Sequence, residues 1–144
     1  MNLDNYTVSA EVTQLSNVGT NSEASGRKHI YNLAGLNYNS MFILDNELYG
    51  AGSYNVATLV NSVTTLAETP LTNKCVVTRT PERLTLYLNN DDVVSYDNPE
   101  EYPTNPSTVI NIGRLTSSGR YLWGYIKDFK IFDVALSADD ISML

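Results

Sequence analysis

The chain has 144 residues, with 9 Lys and Arg against 16 Asp and Glu and a formal net charge of -7, so one domain is expected, since two would each have too little core. An isoelectric point near 4.5, with the few basic residues scattered, excludes the electrostatic footprint of a nucleic-acid binder or of an anionic membrane ligand. One cysteine and one histidine exclude an intramolecular disulfide and a Cys/His zinc site, and no apolar run is long enough to insert into a membrane.

Tyr6, Val8, Ala10 and Val12 alternate with Thr7, Ser9, Glu11 and Thr13, the period of a half-buried strand. Ser16 to Lys28 is rich in Asn, Ser, Gly and Thr and reads as a long surface loop, a candidate for recognition. His29 to Ala34 and Ser40 to Leu44 read as strands; the continuous apolar run Met41-Phe42-Ile43-Leu44 suits a position between two layers. Asp45-Asn46-Glu47 looks like a hairpin turn into Leu48-Tyr49. Residues 55 to 66 fit helical spacing loosely, but their Val and Thr content favours strand.

Further along, Cys75 to Arg79 and Arg83 to Leu88 flank Thr80-Pro81-Glu82 as a hairpin. Asn89-Asn90-Asp91-Asp92 then leads into Val93 to Tyr96 as a second hairpin, whose tip residues tolerate positive φ. Three prolines between Asp97 and Ser107 forbid a central strand. Val109 to Gly113 and Trp123 to Val134 are expected strands. In the latter, Ile126 and Phe129 are three apart, which requires either a β-bulge near Lys127-Asp128 or a change of buried face. Ser137 to Leu144 is a short helix with Ser137 as cap and Asp139 and Asp140 in its first turn. Many short strands and almost no helix point to an all-β, two-sheet antiparallel sandwich.

Two segments then carry a resemblance. Leu84-Thr85-Leu86-Tyr87-Leu88 with the turn Asn89 to Asp92, and above all Ile110-Asn111-Ile112-Gly113 followed by Trp123-Gly124-Tyr125-Ile126-Lys127-Asp128-Phe129 and Ala135-Leu136-Ser137, resemble the laminin G-like jelly-roll domains of the concanavalin A-like lectin and glucanase superfamily. The resemblance implies a jelly-roll sandwich spanning residues 1 to 144, closed by its last strand, with a C-terminal helix docked at its edge. Gly124 is expected to permit close backbone approach beside Trp123, and Trp123 itself is expected in the core. The chain departs from the family in lacking the usual Gly in the 89 to 92 turn, and in having Lys74-Cys75 where a Trp-His pair is common.

The glucanase branch places carboxylates as Glu-x-Asp-x-Glu on one strand. No such spacing occurs here, and Cys75 opens an apolar strand as a small core residue would, so no catalytic residues are assigned. The resemblance implies calcium as a cofactor, for which Asn89, Asn90, Asp91 and Asp92 form the densest group of hard oxygen ligands; as a plain turn, the same residues need no metal. For glycan binding, the loop or loop-edge tyrosines Tyr38, Tyr54, Tyr96, Tyr102 and Tyr121 are the candidates, since tyrosine pairs a rigid apolar ring with a polar tip.

The functional expectation is a non-catalytic module that binds a glycan or decorates a larger assembly. Met1 to Asp4 shows no export signal, and Met1 stands directly before the fold. A free-standing module of that kind fits the surface of a phage-type virion, which leaves the cell by lysis. The alternative is an extracellular, calcium-assisted adhesion module of a secreted protein, and a glycoside hydrolase is the weakest of the three.

Overall fold

The computed structural model describes residues 5–15, 28–33, 40–44, 47–51, 59–65, 72–97, 110–114 and 121–144. Among these, the strands are β1 (Tyr6–Gln14), β2 (Lys28–Leu33), β3 (Ser40–Leu44), β4 (Glu47–Ala51), β5 (Leu59–Thr65), β6 (Thr72–Arg79), β7 (Arg83–Leu88), β8 (Asp91–Asp97), β9 (Ile110–Ile112) and β10 (Gly124–Phe132), followed by helix α1 (Ala138–Ser142). They form two antiparallel five-stranded sheets, one in the order β10-β1-β6-β7-β8 and the other β5-β4-β3-β2-β9. The expected jelly-roll sandwich is therefore the observed architecture. The strand reading of residues 55 to 66 holds for β5; the long loops 16–27 and 98–109 and the turn at 45–46 lie outside the described residues.

The core follows from the period-two patterns. Tyr6, Val8, Ala10 and Val12 of β1 point inward with Cys75 and Val77 of β6 and Leu84, Leu86 and Leu88 of β7, against Ile30, Tyr31, Met41, Ile43 and Leu48 of the other sheet. At roughly 25 cal/mol per Å² of apolar surface removed from water, such interdigitated rows are what hold two sheets together. Tyr31 and Phe129 meet edge to face across the layers, ring centroids 6.2 Å apart. Phe42, inside the apolar run of β3, is buried on the opposite side of its sheet against His29, centroids 5.2 Å apart.

Of the two alternatives that the Ile126–Phe129 spacing allows, strand β10 contains the bulge. Ser9 faces Lys130 and Glu11 faces Lys127, so Asp128 and Phe129 together oppose Ala10, with Asp128 at φ +49°. The extra residue resets the parity of the strand. Ile126, Phe129 and Ile131 consequently all pack on the core, and Lys127 is brought opposite Glu11.

Helix α1 is fastened at its start by a reciprocal capping box. Asp140 N–H donates to Ser137 Oγ at 3.2 Å, while Ser137 N–H donates back to Asp140 Oδ2 at 3.2 Å. Both arrangements satisfy donors that a helix start leaves unpaired. The Ser137 hydroxyl also donates to Asp140 Oδ2 at 2.6 Å, and these bonds to the ionised form hold the Asp140 carboxyl below its ordinary value.

Ile141 is fully buried with Val76, Tyr87 and Leu136 on the outer face of the first sheet. The segment before the helix is sewn to β1: Thr7 Oγ1 donates to Val134 O at 2.9 Å and accepts from Leu136 N–H at 2.9 Å, and Asn5 Oδ1 accepts from Ala135 N–H at 2.8 Å.

Candidate functional site

The C-terminal segment covers the outer face around Val76 and Tyr87. Beyond it, towards the other ends of β10, β1 and β6, an open groove of about 440 Å³ is lined by Glu11, Thr13, Thr72, Lys74, Asn89, Tyr125 and Lys127. Strand register organises it into two rows. Lys127, Glu11 and Lys74 lie side by side across the three strands, and Tyr125, Thr13 and Thr72 form the next row.

Each row has its own chemistry. Lys127 Nζ sits 3.4 Å from Glu11 Oε2 and 3.4 Å from Asp128 Oδ2, and hydrogen bonds to Asp128 and then Glu11 raise its pKa. Lys74 Nζ donates to Ile141 O at 2.6 Å, capping the C-terminal end of a helix that has no basic residue in its own last turn. Partial burial, with Lys130 nearby, lowers the Lys74 pKa. The Thr13 and Thr72 hydroxyls share a 2.6 Å hydrogen bond.

Tyr125 of the groove is the last of a series of exposed aromatic residues. Tyr121, Trp123 and Tyr125 are 49%, 51% and 66% exposed, alternating with Leu122 and Ile126, which pack on the core. The expectation that Trp123 is a core residue is thus corrected. Leu122 and Ile126 take the inward positions, which leaves Trp123, next to Leu122, facing out. Leu15 N–H donates to Trp123 O at 2.8 Å, which fixes that geometry. Gly124 has the close approach expected of it: a Cβ there would lie 2.0 Å from Thr13 O.

Of the tyrosines singled out for ligand contact, Tyr121 is on this exposed segment. Tyr96 is half-buried and packed against the core, a roof residue rather than an open platform. Tyr38, Tyr54 and Tyr102 lie outside the described residues. Tyr125, the most exposed ring of the series, was not singled out. Its signal was parity alone: if Ile126 points inward, Tyr125 points outward.

The proposed metal ligands form the tip of the β7–β8 hairpin. Asn89 and Asn90 take φ +54° and +74°, the conformation of a two-residue type I′ turn. The Asn89 amide is engaged on both atoms, Oδ1 accepting from Lys74 N–H at 2.9 Å and Nδ2 donating to Asn73 Oδ1 at 3.1 Å. Asn90 and Asp91 are exposed, whereas calcium takes 6 to 8 oxygens. Among the described residues no group of three or more His, Cys, Asp or Glu side chains converges. The turn by itself is a poor fit to the ion.

Neither Cys75 nor His29 is placed for nucleophilic chemistry. They belong to different sheets, both are buried, and burial pushes the Cys75 thiol up to about 12, which keeps it protonated and inert. On the second sheet, Ser40, Asn32 and Asn111 form a polar row in register across β3, β2 and β9. All three are buried, whereas the polar residues of the groove are open to solvent.

The chain matches a laminin G-like family described as the concanavalin A-like lectin/glucanases superfamily over residues 1–142. No curated protein matches it. Among solved structures it is similar to the binding domain of botulinum neurotoxin serotype C1, at 18% identity and TM-score 0.69, covering 97% of this chain and 35% of that one. A candidate carbohydrate binding protein from Bacteroides ovatus is similar at 15% identity and TM-score 0.77, covering 97% and 40%. Domain 4 of a GH43 extracellular arabinanase from Geobacillus stearothermophilus, in complex with arabinotriose, is similar at 15% identity and TM-score 0.67, covering 97% and 66%. The chain thus spans well under half the length of the first two. At such identities the structural likeness is one of fold, whereas the family match runs through nearly the whole sequence, and the chain belongs to the concanavalin A-like lectin/glucanases superfamily.

Proposed function

We propose that this domain is a non-catalytic glycan-binding module carried on a larger assembly. The observation that carries the reading is the exposed succession Tyr121, Trp123 and Tyr125, whose last ring lines an open polar groove. Aromatic rings left in water are an unfavourable use of apolar surface unless something stacks on them, and sugars present apolar C–H faces that do so. The similar structures support the class of ligand. One is a candidate carbohydrate binding protein, another holds arabinotriose, and a botulinum neurotoxin type C structure concerns interaction with two ganglioside molecules. The absence of a Glu-x-Asp-x-Glu spacing in the sequence and the inert Cys75 support a binding rather than a catalytic role.

A screen of the purified chain on a glycan array, run with calcium and again with chelator, tests this directly. Specific binding in both conditions is expected. Silence in both would overturn the glycan reading in favour of a purely structural role. Binding lost in chelator would support calcium held through Asn90, Asp91 and backbone oxygens, and with it the adhesion-module alternative.

The setting proposed is the surface of a phage-type virion. Detection of the chain on purified particles by mass spectrometry would support that setting, and its recovery only as part of a secreted protein would replace it.

A further inference from the structure

From the two rows of the groove we infer the class of sugar it takes: a neutral pyranose or furanose unit, its vicinal hydroxyls bridging Glu11 and Lys127 while its C–H face lies on Tyr125. This rests on the glycan-binding reading above and assigns it a site. Strands lie about 4.8 Å apart and same-face residues of one strand about 7 Å apart, so the two rows cover roughly 10 Å by 7 Å, the footprint of one or two sugar rings.

The order of charges in the first row decides the class. Lys127, Glu11 and Lys74 alternate in sign. A sugar hydroxyl both donates and accepts, so one hydroxyl of a vicinal pair can donate to the Glu11 carboxylate while its neighbour accepts from the Lys127 ammonium. Hydrogen bonds to charged groups are the stronger kind. Lys127 and Lys74 are offset by Glu11 and by Asp128, whose Oδ2 lies 3.4 Å from Lys127 Nζ, so the row offers no net positive charge to draw an acidic sugar.

The existing Glu11–Lys127 contact does not stand in the way. At 3.4 Å, with the Lys127 side chain 74% exposed, it is a loose surface pair of the kind that contributes little to stability, and hydroxyls can insert into it. Lys74 is steadier, because its ammonium is anchored on Ile141 O; it closes the row without moving. In the second row, Tyr125 supplies the ring, and the paired Thr13 and Thr72 hydroxyls line the floor.

The test is a ¹H–¹⁵N NMR titration of the full chain with methyl glycosides of glucose, galactose and mannose and with arabinotriose. Glucuronic acid serves as the acidic comparison. The expected result is saturable shifts of the amides of residues 11, 13, 72, 74, 125 and 127 with at least one neutral sugar, insensitive to added salt. Glu11→Gln and Tyr125→Ala are each expected to weaken binding about tenfold or more while keeping a folded spectrum, since neither side chain is buried.

Shifts confined to other residues, or unchanged affinity in both variants, would overturn the site while leaving the glycan reading intact. Saturable binding of glucuronic acid alone, lost on adding salt, would overturn the neutral class. If the array and the titration are both silent, the site falls together with the glycan reading.

Discussion

Replacing Gly124 by Ala tests the geometry on which the aromatic series depends. The added Cβ would lie 2.0 Å from Thr13 O, 3.0 Å from Thr13 C and 3.1 Å from Gln14 Cα. These are backbone atoms of the paired strand, so no side chain can swing aside. To restore ordinary contact with Thr13 O, β10 and β1 must part by roughly 1.4 Å at this point. That displacement breaks the 2.8 Å bond from Leu15 N–H to Trp123 O and loosens the neighbouring Tyr125–Thr13 pairing. Overpacking costs about 1–3 kcal/mol and each lost backbone bond about 1 kcal/mol, giving a destabilisation of roughly 2–4 kcal/mol.

For a chain of this length, that corresponds to a fall in Tm of roughly 5–15 °C. Urea denaturation followed by circular dichroism, with calorimetry for Tm, measures it. Gly113→Ala is the comparison: its Cβ has room, the nearest atom being Ile126 Cδ1 at 3.9 Å, and only φ +74° opposes it, at a cost of about 1–2 kcal/mol. A Gly124→Ala variant within about 0.5 kcal/mol of the parent would refute the argument, because surface substitutions of no consequence fall in that range.

Ile141→Ala removes the one buried side chain of α1 and is expected to cost about 2–4 kcal/mol; hydrogen exchange should show faster exchange over residues 138–144 first, and unchanged protection there would contradict the docking described. Asn89→Ala deletes both bonds of the amide to β6 and puts a residue less suited to positive φ at +54°, so a loss of about 1–3 kcal/mol is expected in equilibrium unfolding. Asp140 has its folded pKa held below the ordinary 3.8. Its contribution to stability is therefore fully present above that value and is lost as pH falls through the lower folded value. An Asp140→Asn variant should show a flatter stability profile in that acid window, and an identical profile would count against the capping box.

How far the sequence could be read depended on whether the information was local. The rows Tyr6 to Val12 and Leu84 to Leu88 stated their buried faces by alternation. Ile126 and Phe129, by breaking that alternation, announced the bulge that Asp128 makes. Ser137 announced itself as the cap, whereas the return bond from Ser137 N–H to Asp140, which completes the box, is seen only in the structure.

The site was harder to read, because it is assembled by register among residues far apart in the chain. Glu11, Lys74 and Lys127 are unremarkable surface charges until β1 is paired on both sides. Trp123 was misassigned because size and apolarity favour burial, and only its position between the inward Leu122 and Ile126 says otherwise. The Asn and Asp of the β7–β8 turn have the same composition whether they serve a tight turn or an ion. Their hydrogen bonds, which sequence does not display, engage Asn89 with β6.

The stitching of Asn5 and Thr7 to residues 134–136 has a consequence for biosynthesis. Of the strands described, β1 is synthesised before the others, yet it lies in the interior of its sheet, and its two neighbours are β6 and β10. One of its edges must therefore wait for β6 and the other for β10, and Asn5 and Thr7 must wait for residues 134–136. Such long-range closure makes folding slow and leaves nascent strands open to wrong partners. Between the synthesis of Tyr6 and that of Leu136 the open edges of β1 are available to such partners, and a holding chaperone that covers them would act in that interval.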